Sequence, residues 1–169
     1  MTASPTPVWI YRVLIAGEFR DLVCVLPTEI GFTTGLPEEA IVGMLLDQSD
    51  ELSPHNFAEN PVFRAFFHDM VRRFAPEEPE LQAAARTAQG FVYVIDSRTP
   101  DPSLDLTDMV EDIVGTFEVR HGAIGSEAYV PNPRYRLFSE NGLFSLGGAV
   151  GQRLLEEVER RAVMRKPRS

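Results

Sequence analysis

The sequence predicts an α+β fold: a mainly antiparallel sheet of six or seven strands, ending in a C-terminal meander, packed against three or four helices. Three observations carry that expectation. Val62, Phe63, Phe66, Phe67, Met70, Val71 and Phe74 recur at helical spacing and lay one apolar stripe along residues 62–74. Residues 113–146 hold short strand-forming runs cut by His121-Gly122 and Asn141-Gly142, pairs suited to tight hairpin turns. The helical patterns fall between and after the strands, not in one-for-one alternation with them.

Taken in order, residues 1–7 read as a loose arm with two prolines. Residues 8–16 and 22–26 are rich in β-branched and aromatic side chains and predict a hairpin whose loop lies near 17–21. Arg12 is the lone charge of the first strand and is expected to point off the core at a sheet edge. Residues 27–37 read as irregular. Pro37 followed by Glu38 and Glu39 suits a helix start, which predicts a helix to about residue 47. Residues 48–59 read as loop. Asn60-Pro61 is the clearest helix start in the chain, and Pro76 stops that helix.

A third, alanine-rich helix is expected over 79–89, closed by Gly90. Residues 91–95 show no polar alternation, which suggests a central strand buried on both faces. Residues 97–107 read as loop, with one helical turn over 107–112. Four strands follow at 113–120, 123–130, 134–139 and 143–146, the second parted from the third by Pro131 and Pro133. A last helix is expected over 150–164, with a seam of Val150, Leu154, Val158 and Ala162. No internal repeat or low-complexity tract is read from the chain. Its 169 residues are most simply one domain over 1–169, with a basic tail at 165–169.

The net charge of −9 argues against duplex DNA, whose phosphates require a basic surface. From Gln152 onward the balance turns to +3, against −12 for the remainder. Cys24 is the one cysteine and sits in an apolar run, so it reads as a small buried hydrophobe. No apolar run reaches membrane-spanning length, and the opening residues lack a signal-peptide pattern. A cytoplasmic protein is expected, with no nucleic-acid or membrane partner.

No residue set carries a specific chemistry. Asp96, Asp101, Asp105, Asp108, Glu111 and Asp112 cluster, but their spacing does not fit a calcium loop. His55, His68 and His121 lie too far apart for a zinc pattern, so no metal or cofactor is expected. The most site-like group combines Asp96 and Arg98, which leave a strand at its C-terminal end, with Asn132, Arg134 and Tyr135 at the Pro-Asn-Pro corner. Two arginine forks there would suit an anion or a peptide.

The fragment over 92–100, Val-Tyr-Val-Ile-Asp-Ser-Arg-Thr-Pro, resembles a strand of toxin-type ADP-ribosyltransferases that reads Tyr-Arg-x-Asp-Ser-Arg-x-Pro. The arginine that holds NAD phosphate in that family falls here on Val94. The family's Ser-Thr-Ser step is absent, and its Glu-x-Glu would fall on Glu157 and Glu159. Without a catalytic constellation, the chain is expected to be a non-catalytic protein-binding or self-assembling module, acting through a sheet edge and the basic C-terminal helix. The alternative is an enzyme acting on a small anionic substrate at the Asp96–Arg98 loop and the Asn132–Arg136 corner, with ADP-ribosyl transfer a distant variant.

Overall fold

The structure, a computed structural model, describes residues 6–47, 51–99 and 106–165. The chain divides into two compact units. The N-terminal unit takes residues 6–67 and 154–165, and the middle unit takes His68–Arg153.

In the N-terminal unit, strands β1 (Trp9–Ile15) and β2 (Glu18–Cys24) form a hairpin. Its turn is Ala16-Gly17, both at positive φ, where glycine carries no steric cost. The strand pairing therefore starts four residues earlier than the hydrophobic pattern suggests. Helix α1 (Thr28–Thr34) follows, in a stretch the sequence marks as irregular. Gly31 presents its bare backbone to the Tyr11 ring, and the Tyr11 hydroxyl donates to the Leu26 carbonyl at 2.6 Å. Tyr11, Leu22 and Cys24 form a small core there, with Trp9, Val13, Leu36 and Met44 packed against it. Burial pushes the Cys24 thiol up to about 12, consistent with an inert apolar role.

The helix expected over 37–47 is not formed. A single turn at Glu38–Ala40 leads into strand β3 (Ile41–Leu45). Ile41 and Val42 favour a strand, and Gly43 would cost a helix interior about 1 kcal/mol. In the sheet Gly43 is useful, because a Cβ there would strike the Phe57 ring and the Ala58 carbonyl. Strand β4 (Phe57–Glu59) pairs with β3 and completes an antiparallel order β1-β2-β3-β4.

Helix α2 (Pro61–Phe74) begins where expected, with Asn60 Oδ1 accepting the Val62 N–H at 3.1 Å. Phe63, Phe66 and Phe67 are buried, and Phe63 lies 6.2 Å from each of the other two ring centroids. Helix α4 (Gly148–Met164) buries Leu154, Val158 and Ala162 in this unit. Arg161 stacks over Phe66 at 4.8 Å and reaches Glu39 at 3.4 Å.

The middle unit contains helix α3 (Pro79–Thr87) and strands β5 (Phe91–Ile95), β6 (Ile113–Glu118) and β7 (Tyr129–Pro131) in the order β5-β6-β7. A separate hairpin joins β8 (Phe138–Ser139) and β9 (Gly142–Leu143). The α+β class and the antiparallel pairing hold, but among the described residues the single sheet of six or seven strands gives way to sheets of four, three and two. Pro131 and Pro133 cut the expected meander, since neither can donate a ladder hydrogen bond. His121 and Gly122 do take positive φ at the expected turn, but only the Arg120–Ala123 bridge continues the pairing there. Strand β5 is not central. It lies at a sheet edge, with Val92 and Val94 buried and Phe91 and Tyr93 exposed.

The two units repeat one motif that the sequence reading does not register. Ile41, Val42 and Gly43 correspond to Ile113, Val114 and Gly115, and Asn60-Pro61 to Asn132-Pro133, each 72 positions on. The register agrees: Val23 pairs Gly43 and Cys24 pairs Ile41, while Val94 pairs Gly115 and Ile95 pairs Ile113. Both ladders carry an irregularity at the same step, between Val23 and Cys24 and between Val94 and Ile95. Asn60 Nδ2 donates to the Ile41 and Glu38 carbonyls at 2.8 and 3.0 Å, and Asn132 Nδ2 to Ile113 and Val110 at 2.8 and 2.9 Å.

Candidate functional site

Three of the residues picked out by sequence meet in one buried knot. Asp96 directly follows β5, and its carboxylate accepts the Arg98 N–H at 2.9 Å, the Ser145 N–H at 2.9 Å and the Tyr135 hydroxyl at 2.7 Å. Arg98 turns inward until its side chain is 3% exposed. Nε donates to Asp112 at 2.7 Å, Nη1 to the carbonyls of Leu137 and Gly142, and Nη2 to those of Glu111 and Arg136. The guanidinium also lies 5.3 Å from the Tyr135 ring centroid.

Burial shapes the electrostatics of this knot. It pushes the Asp96 carboxyl up, against the pull of Arg98, Tyr135 and Ser145. It also raises Asp112, but there the hydrogen bonds from Asn141, Ser139 and Arg98 outweigh it and hold the carboxyl below its usual range. Tyr135 is raised well above the ordinary phenol value, by burial first and then by Asp96. A guanidinium committed to a carboxylate and four carbonyls has no donor to spare for a substrate. The knot therefore ties the loops after β5, before β6 and around β8–β9 together.

Asn132 fastens the turn before β6, and its Oδ1 accepts the Arg134 N–H at 3.1 Å. Arg134 is exposed, so the two arginine forks do not form one rim. Arg136 pairs with Glu111 on the surface at 3.3 Å. Val94, at the position of the ADP-ribosyltransferase arginine, is a buried strand residue. Of the acidic cluster, Asp101, Asp105 and the Asp108 side chain lie outside the described residues. Among the described residues no group of three or more His, Cys, Asp or Glu is placed to hold a metal ion. His68 Nδ1 lies 2.7 Å from the Tyr129 hydroxyl, and His121 is exposed in its turn. No helix among the described residues is long and apolar enough to cross a membrane.

Comparison with family models, curated proteins and solved structures finds no match.

A second feature of the middle unit was not singled out from the sequence. A cleft of about 500 Å³ opens beside β5, lined by Tyr93, Val94 and Ile95 from the strand, Pro79 and Leu81 from α3, and Leu146 and Val150 toward α4. Glu78 and Glu80 stand at its border, and no basic residue among the described ones lines it. Glu78 Oε1 accepts the Val150 N–H at 3.1 Å and so caps α4. Phe91 and Tyr93, 55% and 48% exposed, flank the cleft along the strand. The available signal was the alternation of exposed aromatic and buried valine, hidden because all five residues from 91 to 95 are apolar.

Proposed function

We propose that this chain is a non-catalytic protein-binding module that docks its partner along a sheet edge. The observation that carries this reading is the edge strand β5, which borders a cleft and exposes Phe91 and Tyr93. An edge presents unpaired backbone N–H and C=O groups, and natural sheets usually blunt such edges with charge or proline. Strand β5 carries neither. The commitment of Arg98 to its own loops favours binding over catalysis on a small anion.

The C-terminal helix contributes less than its charge suggests. Glu157 holds Arg161 at 3.0 Å and also pairs with Arg160, while Arg153 lies over the Phe74 ring at 4.6 Å. These bases are occupied within the fold, which shifts the weight of the proposal to the sheet edge. Lys166 and Arg168, the tail's last bases, lie outside the described residues.

Native mass spectrometry of the purified chain, alone and after affinity capture from its host cells, tests the reading. A defined complex with another protein, or a stable homo-oligomer, is the expected result. A strict monomer at tens of micromolar, with no stoichiometric partner captured, would contradict it.

A further inference from the structure

The repeated motif shows what is missing at β5. In the N-terminal unit, β1 lies along the outer edge of β2, with Trp9 opposite Cys24, Tyr11 opposite Leu22 and Val13 opposite Arg20. By the shared register, Leu22 corresponds to Tyr93 and Cys24 to Ile95. In the middle unit the segment that precedes β5 is helix α3, so no strand takes the place of β1 among the described residues. Among the described residues, the chain touches the far end of that edge only briefly, where the Ser97 N–H donates to the Ser145 carbonyl at 2.8 Å. The cleft lies beside the remaining stretch of edge.

We infer that the β5 edge accepts an extended segment of a partner protein, laid antiparallel in the manner of β1, with apolar residues at alternate positions and a Lys or Arg at its flank. This rests on the docking reading above and names its ligand chemistry. Backbone pairing along Phe91–Ile95 supplies the register, as in other strand additions. A side chain opposite Val94, where β1 places Ile10 against Val23, enters the cleft, and side chains opposite Tyr93 and Ile95 extend the outer apolar face. Glu78 and Glu80 select a basic flank by charge complementarity. The net charge of −9 works against a second copy of this chain as the occupant.

The fold supplies its own probe. A fluorescent peptide with the sequence of residues 8–16 and two added lysines is titrated with the whole protein, beside a control with proline at its centre. Hydrogen exchange then locates the bound peptide. Binding by the lysine-flanked peptide alone, with new protection at 91–95, is expected. Tyr93→Asp, at an exposed position that leaves the core intact, should weaken binding at least about tenfold. Glu80→Lys should reverse the preference between lysine-flanked and glutamate-flanked peptides. No binding at about 1 mM, equal binding of the proline control, or protection that maps elsewhere overturns the inference. If the native complex survives Tyr93→Asp unchanged, the docking module stands and its assignment to β5 falls.

Discussion

Where the irregular strand leaves each sheet, the two units bury different chemistry at corresponding positions. The N-terminal unit places Val25, Ala40 and Phe63 there; the middle unit places Asp96, Asp112 and Tyr135, with Arg98 among them. The backbone bond is the same in both, from the Val25 N–H to the Ala40 carbonyl and from the Asp96 N–H to the Asp112 carbonyl, each 2.9 Å. An apolar junction is stabilised by burial, about 1.5–3 kcal/mol for each large side chain. A buried ionic knot comes close to break-even, because desolvation offsets the attraction, but it fixes the loops around it in one arrangement. The scaffold tolerates either solution. The polar one falls in the unit whose edge strand β5 has no outer neighbour among the described residues.

The largest expected effect follows from removing the cation. Arg98→Met removes the cation beside the buried Asp96 and Asp112 carboxylates, with the guanidinium hydrogen bonds to Asp112 and to four carbonyls, and should cost about 3–5 kcal/mol in urea denaturation. Replacing the whole knot by the chemistry of the other unit (Asp96→Val, Arg98→Met, Asp112→Ala, Tyr135→Phe) should recover most of that loss. If the quadruple variant is no more stable than Arg98→Met, the two junctions are not equivalent. A smaller effect compares the paired asparagines. Asn60→Ala and Asn132→Ala each strand two carbonyls and a turn N–H and should each cost about 1–3 kcal/mol. A large loss at one and none at the other would separate the motifs.

The smallest effect concerns a partly exposed ion pair. The hydrogen bond from Arg160, helped by Arg161, lowers the Glu157 carboxyl from 4.5 to about 2. Its folded value lies below its unfolded one, so the stabilisation is complete above pH 4.5 and is lost as pH falls toward 2. The wild type should exceed Glu157→Gln by no more than about 1 kcal/mol near neutrality, and the gap should close through that acid window. A gap unchanged at pH 2 would mean that the carboxylate charge contributes nothing.

Legibility in the sequence followed how local the deciding physics was. Helices α2, α3 and α4 were readable because stripe, cap and proline lie within one segment. Strand β3 was misread because two acids after Pro37 look like a helix start, while the strand depends on Phe57 crossing Gly43 from a distance. The position of β5 could not be read, since an all-apolar pentamer suits a centre or an edge and only its neighbours decide. The repeat was present in the letters, as Ile-Val-Gly at 41 and 113 and Asn-Pro at 60 and 132, but the junctions between them share structure and not side-chain type. Asp96, Arg98 and Tyr135, grouped from the sequence as a ligand site, meet in the fold as a buried knot; that Arg98 points inward depends on carbonyls 13 to 44 residues away.

Amide hydrogen exchange of the free protein compares the two corresponding strands directly. Strand β2 lies between two neighbours, so the amides of Leu22, Val23 and Cys24 should all exchange slowly. In β5 the amides facing β6 should be protected, while the alternate ones, roughly half of Phe91–Ile95, should exchange within minutes. Uniform protection along β5 equal to that of β2 would mean that its outer edge is already filled, leaving no place for a partner strand.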